Sequence, residues 1–367
     1  MTTDSSDREF LAETTGRVVS AHAPLGNLEK VVQADPGHDP EMWQRLVQLG
    51  ASALLAPEEL GGLGQTLAEA TVVAIELGRA AVPGPFLSSA VAATSLLAAL
   101  PAGPARDGLL ERLAAGAVTA AVVDATRASV KMAEEGTVWR IDGEATFVLG
   151  ADSADVLVVH GADIVLVVEA VDAQRTPTPM SDQTRRMATV TFGGVEVGED
   201  AVVATGEVVG AAVERARLEF ELAVAADAVG GAEAVLAIAV EYAKTREQFD
   251  RPIGSFQAIK HKLADMHVLV ESAKAIVAEA ADAWVAAGAD GAVPEVITRA
   301  AVAYATAAYV SVAGDAIQVH GGIGFTWEHP CHRFFKRSWL NQALVEGPAR
   351  ARALFADAII DRALSAG

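Results

Sequence analysis

Four long stretches with helical periodicity fill the C-terminal part of the chain and constrain its fold more than any other feature. They cover residues 211–246, 256–287, 294–319 and about 330–364. Helices of this length joined by short loops pack as a bundle, because each must bury its apolar stripe against its neighbours. The sequence therefore predicts a C-terminal helical bundle domain over residues 209–367.

Short, mostly β-branched segments occupy the middle of the chain. They lie at residues 118–123, 137–141, 145–149, 156–160, 164–168 and 188–192. Consecutive strands without intervening helices indicate an antiparallel sheet or barrel rather than a dinucleotide-binding βαβ unit. Helical periodicity precedes them, so we predict a mostly α, α+β chain. Its three domains are an N-terminal helical domain (1–115), a central antiparallel β-barrel domain (116–208) and a C-terminal four-helix bundle (209–367).

The charge of the chain excludes several classes of partner. A net charge of −20 repels nucleic acid and disfavours an anionic membrane surface. The most apolar run, residues 80–102, is interrupted by prolines and falls short of the ~20 apolar residues of a spanning helix. The N-terminus has no basic-then-apolar signal pattern. We therefore expect a cytoplasmic protein that binds neither nucleic acid nor a membrane.

Cations concentrate in two segments, and only these are candidates for a pocket that binds an anionic small ligand. The first covers residues 244–262, and the second covers residues 329–337 and contains no carboxylate. The only cysteine, Cys331, excludes an internal disulfide and provides no metal-ligand cluster by its spacing. No metal site is expected.

The first cationic segment contains a helix–turn–helix corner. Arg246 and Phe249 end one helical pattern, Pro252-Ile-Gly254 turns the chain, and Phe256 and Gln257 begin the next helix. A guanidinium, an aromatic face and a helix N-terminus together suit a phosphate-bearing ligand. The simpler alternative is a helical joint with a solvated charged face.

A second motif follows near residue 320. In Gln318-x-x-Gly321-Gly322-x-Gly324, a helix runs into glycines that let a ligand approach the bare backbone. Gln318 offers both a donor and an acceptor one turn earlier. The alternative is an ordinary glycine stop at the end of a helix.

Taken together, these features resemble the acyl-CoA dehydrogenase family. The motifs that match are Pro57-Glu-Glu-Leu-Gly-Gly-Leu-Gly64, the β middle, Arg246-x-x-Phe249-x-x-Pro252-x-Gly254-x-Phe256-Gln257 and Gln318-x-x-Gly321-Gly322. The resemblance implies FAD as the cofactor and at least a dimer, usually a tetramer. It also implies that this chain contacts the pyrophosphate and adenine part of an FAD that is held mainly by a neighbouring subunit. The residues implied in this contact are Arg246, Phe249, Phe256, Gln257, Gln318, Gly321 and Gly322.

The resemblance also implies α,β-dehydrogenation of an acyl-CoA thioester, with electrons passed to an electron-transfer flavoprotein. Glu346, before Gly347, is the best candidate for the catalytic base, although it lies one residue later than the common family pattern. The family's alternative base position falls on Phe220, between Glu219 and Glu221. A one-residue shift turns a helical side chain by about 100°, so neither neighbour replaces it without adjustment.

One departure from the family pattern keeps three hypotheses open. The Thr-Glu-Pro-x-x-Gly-Ser-Asp-like stretch that helps to hold the flavin is missing from residues 122–131. The chain more closely resembles short actinobacterial-type members, some of which pair with a second, complete subunit. The chain is therefore either a catalytic homo-oligomer, a half-site partner subunit of an α2β2 enzyme, or a flavin-free scaffold with the same fold. Gly230 and Gly231 either leave room for a bulky acyl group, such as a sterol side chain, or pack helices closely.

Overall fold

The computed structural model describes residues 5–22, 27–288, 291–345 and 347–365 and contains α-helices before and after a central group of strands. The α-helices are α1 (Ser5–His22), α2 (Leu28–Gln33), α3 (Pro40–Gln48), α4 (Leu67–Arg79), α5 (Thr94–Ala98), α6 (Pro104–Ala114), α7 (Val208–Thr245), α8 (Gln257–Ala287), α9 (Glu295–His320), α10 (Cys331–Leu344) and α11 (Gly347–Ser365). The strands are β1 (Ala120–Asp124), β2 (Ser129–Glu135), β3 (Val138–Leu149), β4 (Val156–His160), β5 (Ile164–Glu169), β6 (Gln174–Thr178), β7 (Met187–Gly198), β8 (Val202–Thr205), β9 (Glu247–Gln248) and β10 (Arg251–Pro252).

Contacts divide the chain into two compact units. We call Met1–Gly26, Thr71–Val82 and Glu221–Gly367 the helical unit, and Asn27–Ala70 with Pro83–Phe220 the mixed unit. The mostly helical fold with a central sheet region agrees with the predicted fold class. The domain boundaries at residues 115/116 and 208/209 stay a prediction.

Two four-stranded sheets form the centre of the mixed unit. Their strand orders are β1-β4-β5-β8 and β2-β3-β7-β6. The second sheet is antiparallel throughout, whereas β1 pairs with β4 in parallel. The two strands predicted at 137–141 and 145–149 are one strand, β3, with a register shift between Ala145 and Val148.

The first sheet is buried on both faces, which explains its continuous apolar runs. Leu157, Val159 and Leu166 belong to a core shared with the second sheet. Val156, Val158 and Val165 pack instead in a cluster with leucines of α5 and α6. Strands buried on both faces are apolar at successive positions rather than at alternate ones.

The helical unit is organised around α9, which packs against α8, α10 and α11. The fourth predicted helical pattern is divided into α10 and α11, with Val345 outside helical geometry (φ −111°, ψ 32°). Pro348 explains the division, since proline has no backbone N–H to donate the hydrogen bond that a continuous helix requires.

Among the described residues, two helical segments are long and apolar enough to cross a membrane, Val208–Thr245 and Glu295–Phe325. The protein buries 72% and 61% of their most apolar windows, respectively. Such burial is typical of core helices, which satisfy the same length and hydropathy criteria as membrane spans.

Candidate functional site

Three helix ends meet at one end of the helical unit: the C-termini of α7 and α9 and the N-terminus of α8. The ring of Tyr242, near the end of α7, stacks on His320, the last residue of α9, with centroids 4.3 Å apart. Lys262 of α8 forms an ion pair with Asp315 of α9. These contacts bring the Arg246–Gln257 corner and the Gln318–Gly322 motif together, although about 60 residues separate them in sequence.

The corner itself contains a tight hairpin. Strands β9 and β10 pair around Phe249 and Asp250, whose φ angles are 55° and 62°. Positive φ at both central residues is the geometry for which Asn-Gly is favoured, and a bulky aromatic residue adopts it only at a cost. Strain of this kind concentrates at functional sites, so Phe249 is a candidate on structural grounds as well.

The predicted corner residues differ in exposure. Phe249 is 85% exposed, and Arg246 and Gln257 are also exposed. Phe256 is half-buried, with its ring 6.0 Å from that of Phe249 and with the Arg251 guanidinium 4.0 Å above it. Phe256 therefore packs against both Phe249 and Arg251 of the hairpin. Arg251 adds a cation to the corner that was not among the residues predicted from the sequence.

The turn at Gly321 and Gly322 leaves its backbone accessible to a ligand. Gly321 ends α9 with a φ of 63°. In the part of the chain that the structure describes, no atom beyond the locally adjoining residues lies within 4 Å of a Cβ built on Gly321 or Gly322. Gln318 is exposed one turn earlier. An approaching ligand can therefore reach the backbone of the turn and the side-chain amide, although the Gly321 N–H already donates to carbonyls of α9.

The second cationic segment does not form a free basic pocket. Arg337 is 2% exposed and donates to both carboxylate oxygens of Asp227, over 3.1 and 2.5 Å, and to Val82 O. Lys336 lies 4.3 Å above the ring of Trp327. The segment itself contains no carboxylate, but Asp227 of α7 neutralises Arg337. This pairing could not be predicted from the sequence, because the two residues are far apart along the chain.

The candidate bases have different environments. Glu346 lies outside the described residues, so its role stays a prediction. Glu219 is buried in the mixed unit, and Arg215 donates to its Oε1 over 3.0 Å. Burial raises the pKa of Glu219, and the Arg215 guanidinium opposes this shift only in part. Glu221 is also buried, whereas Phe220 is half-buried.

Phe147, an exposed aromatic residue in the mixed unit, was not predicted from the sequence as a site residue. Phe147 is 61% exposed, and its φ is 57°. It lies where β3 shifts register between Ala145 and Val148. A bulge in a strand redirects a side chain, and an exposed ring in strained geometry is a candidate contact for a planar ligand.

The adjacent glycines of α7 pack helices closely. A Cβ on Gly230 would lie 1.9 Å from Ile75 O of α4, and one on Gly231 would lie 2.4 Å from the Tyr309 ring of α9. Of the two alternatives from the sequence, the structure therefore supports close packing, because other atoms already fill the space beside both glycines.

Comparisons with known proteins assign the family. The model of the acyl-CoA dehydrogenase N-terminal domain matches residues 5–117, and that of the C-terminal domain matches residues 209–349. Acyl-CoA dehydrogenase IpdE2 of Mycobacterium tuberculosis is 36% identical over 351 residues, which cover 94% of this chain and 95% of that protein. The chain belongs to the acyl-CoA dehydrogenase family. It is accordingly an acyl-CoA dehydrogenase oxidoreductase with FAD as its cofactor.

Two solved structures share the whole fold. The ChsE4–ChsE5 complex from Mycobacterium tuberculosis has a chain with a TM-score of 0.87 and 26% identity, covering 98% of each chain. A variant of the Tcur3481–Tcur3483 steroid acyl-CoA dehydrogenase has a TM-score of 0.85 and 25% identity, covering 98% of this chain and 99% of that one.

The donor set at the helix ends fits the phosphate-bearing part of FAD. Arg246 provides charged donors, Gln318 provides a side-chain amide, and Phe249 provides an aromatic face. The open turn at Gly321 and Gly322 lets the ligand approach the backbone closely. All of these groups are accessible from solvent in the single chain. No described carboxylate forms an ion pair with Arg246, so its positive charge is available for a phosphate.

Proposed function

We propose that this chain takes part in the α,β-dehydrogenation of an acyl-CoA thioester in the cytoplasm and that the electrons pass to an electron-transfer flavoprotein. One observation carries the proposal: the Tyr242–His320 ring contact joins the exposed Arg246–Phe249 hairpin to the open Gly321–Gly322 turn. The residues proposed to contact the pyrophosphate and adenine part of FAD are Arg246, Phe249, Phe256, Gln257, Gln318, Gly321 and Gly322.

We propose further that each flavin site is shared between subunits. An 85% exposed Phe249 is unfavourable in an isolated chain and favourable once a second subunit and its FAD cover it. The missing flavin-cradle stretch at residues 122–131 and the likeness to the ChsE4–ChsE5 complex favour an α2β2 heterotetramer with a second dehydrogenase subunit. A homodimer or homotetramer is the alternative.

The chemistry requires a carboxylate and a water-poor site. FAD, when bound, would supply the hydride acceptor for the β-carbon of the thioester. The protein must supply a carboxylate that removes the α-proton. We propose Glu346 as that carboxylate and Glu219 as the alternative, since Glu219 is a buried carboxylate whose pKa is raised by burial. We also propose that the exposed ring of Phe147 packs against a planar group of FAD or of the acyl-CoA.

The proposed substrate class is the CoA thioester of a steroid-derived acid. The support is the likeness to the Tcur3481–Tcur3483 steroid acyl-CoA dehydrogenase over nearly the whole chain. Gly230 and Gly231 add no support, because helix packing occupies the space beside them. A panel of steroid, branched and straight-chain acyl-CoAs tests this point, and faster turnover of a straight-chain thioester would contradict it.

The visible spectrum of the purified chain tests the proposal. We expect little flavin when the chain is expressed alone and stoichiometric FAD, reducible by acyl-CoA, when it is co-expressed with a second dehydrogenase subunit. Stoichiometric, reducible flavin in the chain alone would instead indicate a catalytic homo-oligomer. A colourless protein under both conditions would contradict the proposal and favour the flavin-free scaffold.

Two pairs of variants test the residue roles. Arg246→Ala should lower FAD affinity, whereas Lys244→Ala, which removes an exposed cation paired with Glu241, should not. Glu346→Gln should abolish flavin reduction by acyl-CoA without loss of flavin, and Glu219→Gln should leave the reduction in place. The opposite result for the two glutamates would transfer the role of base to Glu219.

A further inference from the structure

Three side chains with metal-binding atoms converge where α9 ends and α10 begins. One ring nitrogen from each of His320 and His329 and the Sγ of Cys331 all lie within 4.8 Å of one another. His320 and Cys331 are buried, at 4% and 0% exposure, and His329 is half-buried. No metal-ligand cluster was expected from the sequence, because the chain has a single cysteine. The fold places two histidines beside that cysteine.

The hydrogen bonds of His320 leave one ring nitrogen with a free lone pair. Its Nδ1 lies 2.7 Å from Ala316 O, and because a carbonyl only accepts, Nδ1 carries the proton. Nε2 is therefore an acceptor, and it is buried without a hydrogen-bond partner among the described residues. A histidine that donates one ring N–H to a backbone carbonyl and offers the other nitrogen is the usual arrangement of a metal ligand.

Among the described residues, the hydrogen-bonding contacts of the other two metal-binding side chains are long, and the His329 ring also lies edge-on to Tyr242 with centroids 6.4 Å apart. Cys331 Sγ lies 3.5 Å from His320 Nδ1, and the Cys331 N–H donates to His329 Nδ1 over 3.4 Å. The two imidazole rings are tilted by 49°, with centroids 4.2 Å apart. Weak contacts of this length yield readily to a stronger partner.

We propose that His320, His329 and Cys331 bind one divalent cation of the zinc class, with water as the fourth ligand. Two imidazoles and one thiolate are the ligand set that zinc prefers over calcium or magnesium. Zinc bonds of ~2.3 Å to sulfur and ~2.1 Å to nitrogen require ligand atoms that are up to 4.8 Å apart to approach one another by about 1 Å. On binding, the Cys331 thiol releases its proton to water.

Metal occupancy has a structural consequence for the turn. His320 is the last residue of α9, and Cys331 is the first of α10. A cation bound to both closes the intervening segment, which contains Gly321 and Gly322, into a fixed loop. The cation is not required for the proposed flavin contacts, so the two proposals can fail separately.

Zinc analysis of the full-length holoenzyme tests the site. After dialysis against a chelator and reloading with Zn2+, mass spectrometry should find about one zinc per chain in the wild type. Cys331→Ser and His329→Asn should lose it, whereas His261→Asn, which changes an exposed histidine of α8, should keep it. Equal zinc contents in all four proteins would overturn the proposal.

A cobalt titration of the wild type gives a readout that does not depend on the folding of a variant. Co2+ added to the zinc-free holoenzyme should produce a thiolate charge-transfer band in the near ultraviolet, measured as a difference from the same sample before addition. The band should saturate at one equivalent. A wild type that gives no such band at saturating Co2+ refutes coordination by Cys331 even if zinc is retained.

Discussion

Single residues with buried charge make the helical unit sensitive to substitution. Asp227 accepts from Arg337 and also from Asn341 Nδ2, over 2.8 Å, and all three side chains are almost inaccessible to solvent. Removing one member of a buried ion pair leaves the other charge desolvated and unpaired, which costs more than the intact pair contributes.

Asp227→Ala should therefore lower the free energy of unfolding by about 3–5 kcal/mol, measured by urea denaturation. The matched control is Glu241→Ala, which breaks the exposed pair with Lys244 and should cost less than about 1 kcal/mol. Equal losses in the two variants would show that the burial of the Asp227 carboxylate has no energetic consequence.

The buried carboxylate of Glu219 should make stability depend on pH. Because burial raises the folded-state pKa of Glu219, its contribution is fully present below the unfolded pKa and is lost as the pH rises through the folded pKa. Glu219→Gln cannot ionise, so it should gain stability relative to the wild type from about pH 4.5 upward, by ~1.4 kcal/mol per unit of pKa difference. Urea denaturation between pH 4.5 and 8 measures this, and a difference that does not change with pH contradicts it.

At the scale of elements, two glycines determine how closely α4 and α7 cross. A Cβ on Gly78 would lie 2.2 Å from Asp227 O, and one on Gly230 would lie 1.9 Å from Ile75 O. Each glycine thus faces the backbone of the other helix. The backbones can approach this closely only because neither helix has a side chain at the contact.

Gly230→Ala should destabilise the protein by about 1–3 kcal/mol, although alanine is the better helix former. Gly108→Ala in α6 is the control, because no described atom lies within 4 Å of the added Cβ, and it should stabilise by up to about 1 kcal/mol. Thermal and urea unfolding measure both, and an increase in stability for Gly230→Ala would rule out close backbone packing.

Elements also show how far local patterns predict the fold. The periodicity of residues 256–287 predicts α8 to within a residue, because a long amphipathic stripe is a local property. The pattern of β1 contains no information about its partner, so its parallel pairing with β4 was not predicted. The separation of α10 from α11 could have been predicted from Pro348, because its missing N–H interrupts a continuous helix locally.

At the scale of the whole molecule, the proposed subunit-shared flavin site links cofactor binding to assembly. Diluting the flavin-loaded assembly should release FAD over the same concentration range as subunits dissociate, since mass action couples the two equilibria. Phe249→Ala should shift both curves to higher protein concentration while leaving the unfolding of the chain almost unchanged, because Phe249 is 85% exposed. Flavin fluorescence and sedimentation measure the curves, and FAD retained by dissociated chains would contradict the link.

The sequence by itself determined the order of helical, strand and helical regions and the motifs that identify the acyl-CoA dehydrogenase family. Periodicity and turn chemistry act over a few residues, and the family motifs are short, so both can be read along the chain. Only the tertiary structure decided that Arg337 is neutralised by Asp227 while Arg246 faces solvent, that Gly230 packs against α4, and that His320 and His329 meet Cys331. These outcomes depend on burial and on contacts between residues far apart in sequence, which no local pattern contains.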